Sequence, residues 1–401
     1  MHVRARIGYC SDAMRSRSLT PLLRFLCAGL LACLGHLACG GSKGTSDHGG
    51  ADSAPVVFRP GPVTEADLVS LPGNGVGAPV VTSNNPEVFT GEGVLYSSAR
   101  ASAARGGAAF PLSGRIGVYF HHINRAGAPG SFTHVKIVVE SPGGATVSAR
   151  GSAYTQADTG GIAIGHSPDA QVAADWVQGL ARTTVPSRAV LGPTAIFDEA
   201  VPEASEIDGR FEIDASAPIF VSVVAGNAEG DAPGVVARPG SGAVGREAGV
   251  YAHDSFAGSF ALRVPASGSV GFRLDTAEQA AKNFPALIAD DDSATSAIGL
   301  YGDVFDLQLR LAHDGADAST RNVRISLATF ARDFGSRAWD GLWVVDGRGV
   351  QAQLTATSGS PGCCTTLAEF GLRPGEARTV KLRAMVPGLS SIPEALIIES
   401  R

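Results

Sequence analysis

Two adjacent histidines, His121 and His122, are the residues whose types most directly suggest chemistry. An imidazole can bind a metal ion or transfer a proton near neutral pH. The surrounding segment has the pattern of a β-strand, in which neighbouring side chains point to opposite faces, so a shared ligand would need a bulge. His134, His166 or Asp158 could complete such a site, but no HxH or HExxH spacing supports it. We treat both histidines as possible ligand-binding residues and predict no metal and no cofactor. The alternative is one histidine hydrogen-bonded inside and one exposed.

Trp339 and Trp343 form a second candidate site, in the segment SRAWDGLW. Exposed indole rings could stack on sugars, which makes the two residues possible ligand-binding residues. The alternative is that they are buried tryptophans of a β-sandwich. Trp176 is open to the same two interpretations.

The sequence lacks a recognisable catalytic constellation. It contains no GxSxG elbow, no phosphate loop and no GxGxxG fingerprint before a helix. The run from Asp290 to Asp292 lacks the DxDxDG alternation that directs carboxylates to calcium, and is typical of a solvated turn. We therefore predict no catalytic residues. The alternative is an extracellular carbohydrate-active or other hydrolytic enzyme, which would need two carboxylates facing each other across a cleft.

The N-terminus has the pattern of an export signal, because a basic head precedes an apolar run too short to span a membrane. Cys33 and Cys39 are candidates for lipidation. Cys33 follows Leu-Leu-Ala, the better lipobox, but only Cys39 opens a Gly- and Ser-rich segment typical of a tether. We predict a signal peptide at 1–38, lipidation at Cys39 and a flexible tether at 39–55. Lipidation at Cys33, or a cleaved signal without lipid, remains open.

Lipidation would place the protein in the cell envelope, at the outer membrane, with the lipid as its membrane contact. Removal of residues 1–38 takes away five arginines and one aspartate, and shifts the formal charge from −6 to −10. Phosphate binding requires a basic patch, so no nucleic-acid partner is predicted. The expected partner is an envelope protein or a polysaccharide.

Cys363 and Cys364 are neighbours in the turn-like segment SGSPGCCTT. In an oxidising envelope they could form a vicinal disulfide, which would kink the loop. Two reduced thiols are the alternative. No CxxC redox motif is present.

Short apolar runs alternate with Gly- and Pro-rich turns, which predicts an all-β fold. In one of these runs Phe305, Leu307, Leu309 and Leu311 alternate with polar residues. The pattern predicts strands at 115–120, 135–139, 219–224, 270–274, 305–311, 323–330 and 379–385, and short helices at 169–182 and 276–284.

A strand–turn–strand layout and a later strand ending in Val-Pro occur once in each half of the chain. This duplication predicts two tandem immunoglobulin-like β-sandwich domains, at 56–235 and 236–401. A single larger β-domain is the alternative.

Three segments carry a family resemblance: LPGNGVGAPVVTSNNPEVFTGEGVLYSS, FPLSGRIGVYFHHINRA and GLYGDVFDLQLRLAH, the last with the closing segment LRPGEARTVKLRAMVPGLSSIPEALII. Together they resemble a family of exported proteins common in cyanobacteria and catalogued as a domain of unknown function. The resemblance covers most of residues 56–401. It implies export and an all-β structure in one continuous unit, and it supplies no activity, ligand or site.

Overall fold

The computed structural model describes residues 56–99, 109–157, 167–226, 246–274, 277–290, 293–330, 337–355, 362–388 and 393–401. The chain from Ala54 to Arg401 forms one compact unit. The signal peptide, Cys39 and the tether lie outside the described residues, so those assignments stay predictions.

The described residues are mostly strands. In chain order they are β1 (Val69–Ser70), β2 (Asn74–Val76), β3 (Val80–Ser83), β4 (Val88–Phe89), β5 (Gly93–Ser97), β6 (Leu112–Asn124), β7 (Phe132–Glu140), β8 (Ala145–Ala157), β9 (Arg182–Val190), β10 (Thr194–Pro202), β11 (Ser205–Ala225), β12 (Ala248–Tyr251), β13 (Ser255–Arg263), β14 (Gly268–Arg273), β15 (Ala286–Ala289), β16 (Val304–Ala312), β17 (Arg321–Thr329), β18 (Arg337–Val345), β19 (Arg348–Thr355), β20 (Gly362–Leu372), β21 (Ala377–Met385) and β22 (Glu394–Ser400). Two helices accompany them, α1 (Pro168–Gln178) and α2 (Ala277–Asn283). The predictions of an all-β fold and of two short helices are confirmed, but the first helix ends at Gln178, before the predicted end at residue 182.

The 21-residue strand β11 organises the first sandwich. Its first half pairs with β6 and β8, and its second half pairs with β7 and β5. The register with β6 shifts between Ala215 and Ile219, where Pro218 lies. Because proline cannot donate to a ladder, it suits a point where a strand leaves one sheet for another. The two sheets enclose an apolar core that includes Val118, Phe120 and Phe211.

The second sandwich consists of a five-stranded and a six-stranded sheet. Their orders are β1-β14-β22-β17-β20 and β19-β18-β21-β16-β13-β2. The strand β16 shows why the sheets pack together: Phe305, Leu307, Leu309 and Leu311 are buried, while the polar residues between them are exposed. The predicted alternation is confirmed at these positions.

Strand pairing crosses the predicted domain boundary. β2 and β1 pair with β13 and β14 of the second half, and β12 pairs with β3 of the first. Residues 235 and 236 lie in the segment 227–245, outside the described residues. In the described ranges, the two largest apolar cores therefore exchange short strands, and the division at 235 stays a prediction.

Helix α1 begins and ends with clear local signals. Ser167 is its N-cap and accepts a hydrogen bond from the Ala170 amide, and Pro168 occupies the first turn, where a missing N–H does no harm. Gly179 ends the helix with a φ of 70°, in the left-handed region that glycine adopts readily. Neither this helix nor any other in the described ranges has the length and hydropathy to cross a membrane.

Candidate functional site

His121 and His122 point to opposite faces of β6. The β6–β11 register runs regularly past both residues, so no bulge brings them together, as strand alternation predicts. Both are at most 1% exposed. The expectation that one of them is exposed is therefore wrong. The outer face of β6 is covered by the C-terminal half, where a Cβ atom on Gly388 would lie 3.4 Å from His121 Nδ1.

His122 is a structural residue of the first core. Its Nδ1 donates to the Pro86 carbonyl at 2.8 Å, and its Nε2 accepts from the Ser83 hydroxyl at 2.9 Å. Burial lowers the pKa of His122 to about 3, so the ring is neutral. Both ring nitrogens are already engaged, which leaves no site for a ligand.

His121 belongs to a buried charged group. Its Nδ1 lies 2.9 Å from Asp208 Oδ1, and its Nε2 lies 3.7 Å from Glu87 Oε1. Burial alone would lower the pKa of His121, but the charge and hydrogen bond of Asp208 outweigh burial and raise it to about 9. The ring is therefore an imidazolium at neutral pH, which has no lone pair to offer a metal ion.

Three buried carboxylates lie beside His121. Each of Asp169, Glu206 and Asp208 offers an oxygen within 4.8 Å of the others. Asp169 is in the first turn of α1, where the helix dipole favours a negative charge. Glu206 and Asp208 alternate along β11 and so share a face. These hard oxygen ligands could hold a cation. An acidic cluster by itself does not define a metal site, and His121 already supplies a positive charge there.

Arg210 follows Glu206 and Asp208 on the same face of β11, and it connects the two halves of the chain. It is fully buried, and it donates to Asp254 Oδ2 at 2.9 Å and to the Gly302 carbonyl at 3.1 Å. Its guanidinium lies 4.8 Å from the centre of the Trp176 ring. Gly117 makes room for it, because a Cβ atom there would lie 2.6 Å from the guanidinium.

A pocket of about 320 Å³ opens beside Arg210, where α1 and the two sandwiches meet. Its wall is polar and rich in arginine. The lining residues are Arg115, Arg150, Trp176, Gly179, Ala181, Glu212, Asp254, Ser255, Val304 and Arg383. Junctions between packed units are common places for ligand sites. This pocket is the candidate functional site.

The possible sugar platform at Trp339 and Trp343 does not form, and the alternative of two buried tryptophans is the one that the structure shows. The two rings are 1% and 0% exposed and lie 5.8 Å apart in the second core. A ring enclosed by side chains cannot stack on a sugar, so these tryptophans contribute packing. Trp176 lines the pocket instead.

Other predicted site residues lie partly outside the described residues. Cys364 is exposed, but the Cys363 side chain is not described, so the vicinal disulfide stays a prediction. Asp158, His166 and the second and third aspartates of the 290–292 run are also outside. Asp290 itself is buried.

The pocket arginines were missed by the sequence reasoning. A signal for this face exists in SEIDGRFEID, where charged residues at 206, 208, 210 and 212 alternate with apolar ones. Such a pattern normally predicts a solvated sheet face, and here another layer covers most of it. Arg115 and Arg383 stand far apart in sequence, and no local spacing connects them.

Comparison with known proteins names no activity for this chain. Residues 67–159 match a family described as "Protein of unknown function (DUF3370)". This stretch holds β1 to β8, including His121 and Arg150, so the chain contains a region similar to a domain of unknown function. The wider resemblance, and export, stay predictions. No curated protein matches the chain significantly.

Among solved structures, 27 chains match. One is the N-terminal CBM22-1–CBM22-2 tandem domain of Xyn10C from Paenibacillus barcinonensis, at 10% identity and a TM-score of 0.16. The match covers 68% of this chain and 71% of that one. A TM-score this low carries no information about the ligand of the present protein.

Proposed function

We propose that this protein is an exported, lipid-anchored envelope module that binds a ligand without transforming it. The observation that carries the binding role is the pocket between α1 and the two sandwiches, which is lined by Trp176 and three arginines. The signal pattern and the tether after Cys39 support the anchoring role. The expected ligand is a polysaccharide of the envelope.

The charges in the pocket favour binding over hydrolysis. Its two carboxylates, Glu212 and Asp254, each pair with an arginine: Arg150 lies 2.8 Å from Glu212, and Arg210 lies 2.9 Å from Asp254. Each carboxylate already accepts charge-assisted hydrogen bonds from its arginine, so neither is free to engage a leaving group. The buried acids near His121 are closed to a substrate of any size.

Filling the pocket should abolish ligand binding. Ala181 lines it, and Ala181→Trp would place an indole in the cavity. On a glycan array, the mature protein in detergent micelles should retain a saccharide that Ala181→Trp does not. Ala189→Trp, at an exposed position on β9, is the matched control and should bind normally. Equal binding by all three proteins would exclude the pocket as the ligand site.

The anchor has a separate test. Mass spectrometry of the mature protein should find a diacylated N-terminal peptide that begins at Cys39. Cys39→Ala should move the protein from the membrane fraction to the soluble fraction, whereas Cys33→Ala should leave it anchored. A diacylated peptide beginning at Cys33, or an unmodified N-terminus, would contradict the proposal.

A further inference from the structure

We propose that the pocket lined by Trp176 recognises a sugar acid, a ligand that carries one carboxylate and several hydroxyls. This inference rests on the proposed binding function and adds the chemical class of the ligand. It follows from the charges of the pocket, from the two guanidinium groups that already contact the Trp176 ring, and from the mixture of donors and acceptors on the wall.

The pocket is locally positive in a chain that is negative overall. Three arginines line it, against a formal charge of −6 for the whole chain. Asp254 does not cancel their positive charge, because it already pairs with Arg210, which lies outside the pocket lining. Glu212 is the remaining carboxylate, and it is shared between Arg150 at 2.8 Å and Arg115 at 3.9 Å.

Arg383 is the lining arginine whose guanidinium is available to a ligand. It is exposed on β21, and it makes no ion pair with any described residue. The Arg115–Glu212 contact is long, so Arg115 also keeps donors available. A guanidinium presents a planar fork that matches a carboxylate in a bidentate manner. Two such groups on one cavity wall favour an oxyanion over a neutral ligand.

Trp176 orients the arginines and offers little surface to a sugar ring. It is 9% exposed, and it carries the guanidinium of Arg150 at 5.7 Å and that of Arg210 at 4.8 Å from its ring centre. Cation–π contacts of this kind hold a guanidinium in place before the ligand arrives. The usual stacking mode for neutral sugars is therefore blocked, which again favours charge as the recognition element.

The acceptors of the pocket argue for hydroxyl groups on the same ligand. Glu212, Asp254 and the Ser255 hydroxyl share the wall with the arginines. A carboxylate accepts hydrogen bonds and donates none, so it suits a ligand hydroxyl. A sugar acid satisfies both sets of groups. The cavity is at the small end of ligand pockets, which suits one such unit, free or within a chain.

Calorimetry with the mature protein tests the inference, with glucuronate as the probe and glucose and sulfate as comparisons. We expect glucuronate to bind at least about tenfold more tightly than glucose, because a hydrogen bond to a charged group contributes about 1.5–3 kcal/mol, equivalent to tenfold or more. The affinity for glucuronate should fall as the salt concentration rises.

Arg383→Gln should lower glucuronate affinity by about tenfold and leave glucose affinity unaffected. Arg348→Gln removes the same charge from an exposed position at the start of β19 and should change neither.

The outcomes separate this inference from the proposed function. If a saccharide binds in a pocket-dependent manner but glucose equals glucuronate, the pocket is a binding site and the sugar-acid assignment is wrong. If sulfate binds as tightly as glucuronate, the site is a general anion site and the assignment is also wrong. If Ala181→Trp changes no binding at all, the proposed function fails with it. Circular dichroism melting checks that Arg383→Gln remains folded.

Discussion

Replacing Arg210 with leucine should cost about 3–5 kcal/mol in the free energy of unfolding, because it leaves the buried Asp254 carboxylate without its partner. Arg210 is the fully buried cation that bonds Asp254 at 2.9 Å. Burial raises the pKa of Asp303 well above its usual value, and Arg210 opposes that effect. Chemical denaturation of Arg210→Leu measures the loss. Arg310→Leu, on the exposed face of β16, is the matched control and should change the free energy by about 0.5 kcal/mol or less.

A double-mutant cycle with Asp254→Asn identifies the ion pair as the cause. Asp254 also accepts from the Ala78 amide at 3.1 Å through Oδ1, a bond that asparagine can preserve. We expect the double variant to be more stable than the sum of the single losses predicts, with a coupling of about 1.5 kcal/mol or more. Strict additivity would mean that the pair with Asp254 contributes nothing, and that Arg210 acts through its hydrogen bond to the Gly302 carbonyl and its contact with Trp176.

The regular strands were predictable because their signal is local. The period of two in Phe305–Leu311 needs no knowledge of the partner strand, and it was confirmed residue by residue. The short strands were not predictable. β2 has three residues and pairs with Ser255–Ala257, about 180 positions away in the chain. A strand of that length carries too little pattern to specify its partner, so the exchange of strands between the two cores escaped the sequence.

The candidate site was only partly predictable for the same reason. Alternation correctly separated His121 from His122, since it depends on one strand alone. The burial of His121 depends on Gly388 and other residues more than 200 positions later, which cover the outer face of β6. The pocket likewise requires Arg115 and Arg383 to meet across two sandwiches. Trp176, which lines the pocket, was recognised as a candidate from the sequence, but Trp339 and Trp343 had the more suggestive spacing.

The charged state of His121 should make the protein less stable as the pH rises towards 9. The folded pKa, about 9, lies above the ordinary value of 6.5. The imidazolium therefore stabilises the fold fully below pH 6.5, and this contribution is lost as the pH rises through 9. The shift corresponds to about 3 kcal/mol. Burial raises the pKa of Glu247 to about 7. Its protonated form therefore stabilises the fold below pH 4.5, and this contribution is lost as the pH rises from 4.5 to 7.

Denaturation of wild type and His121→Gln at pH 6 and pH 9 isolates the histidine. A glutamine side chain cannot titrate, so the variant should be less stable than wild type at pH 6, and the difference should shrink by about 3 kcal/mol at pH 9. Glu247 affects both proteins equally. A parallel pH dependence in wild type and His121→Gln would show that His121 is neutral in the fold, and that Asp208 is held by its other neighbours.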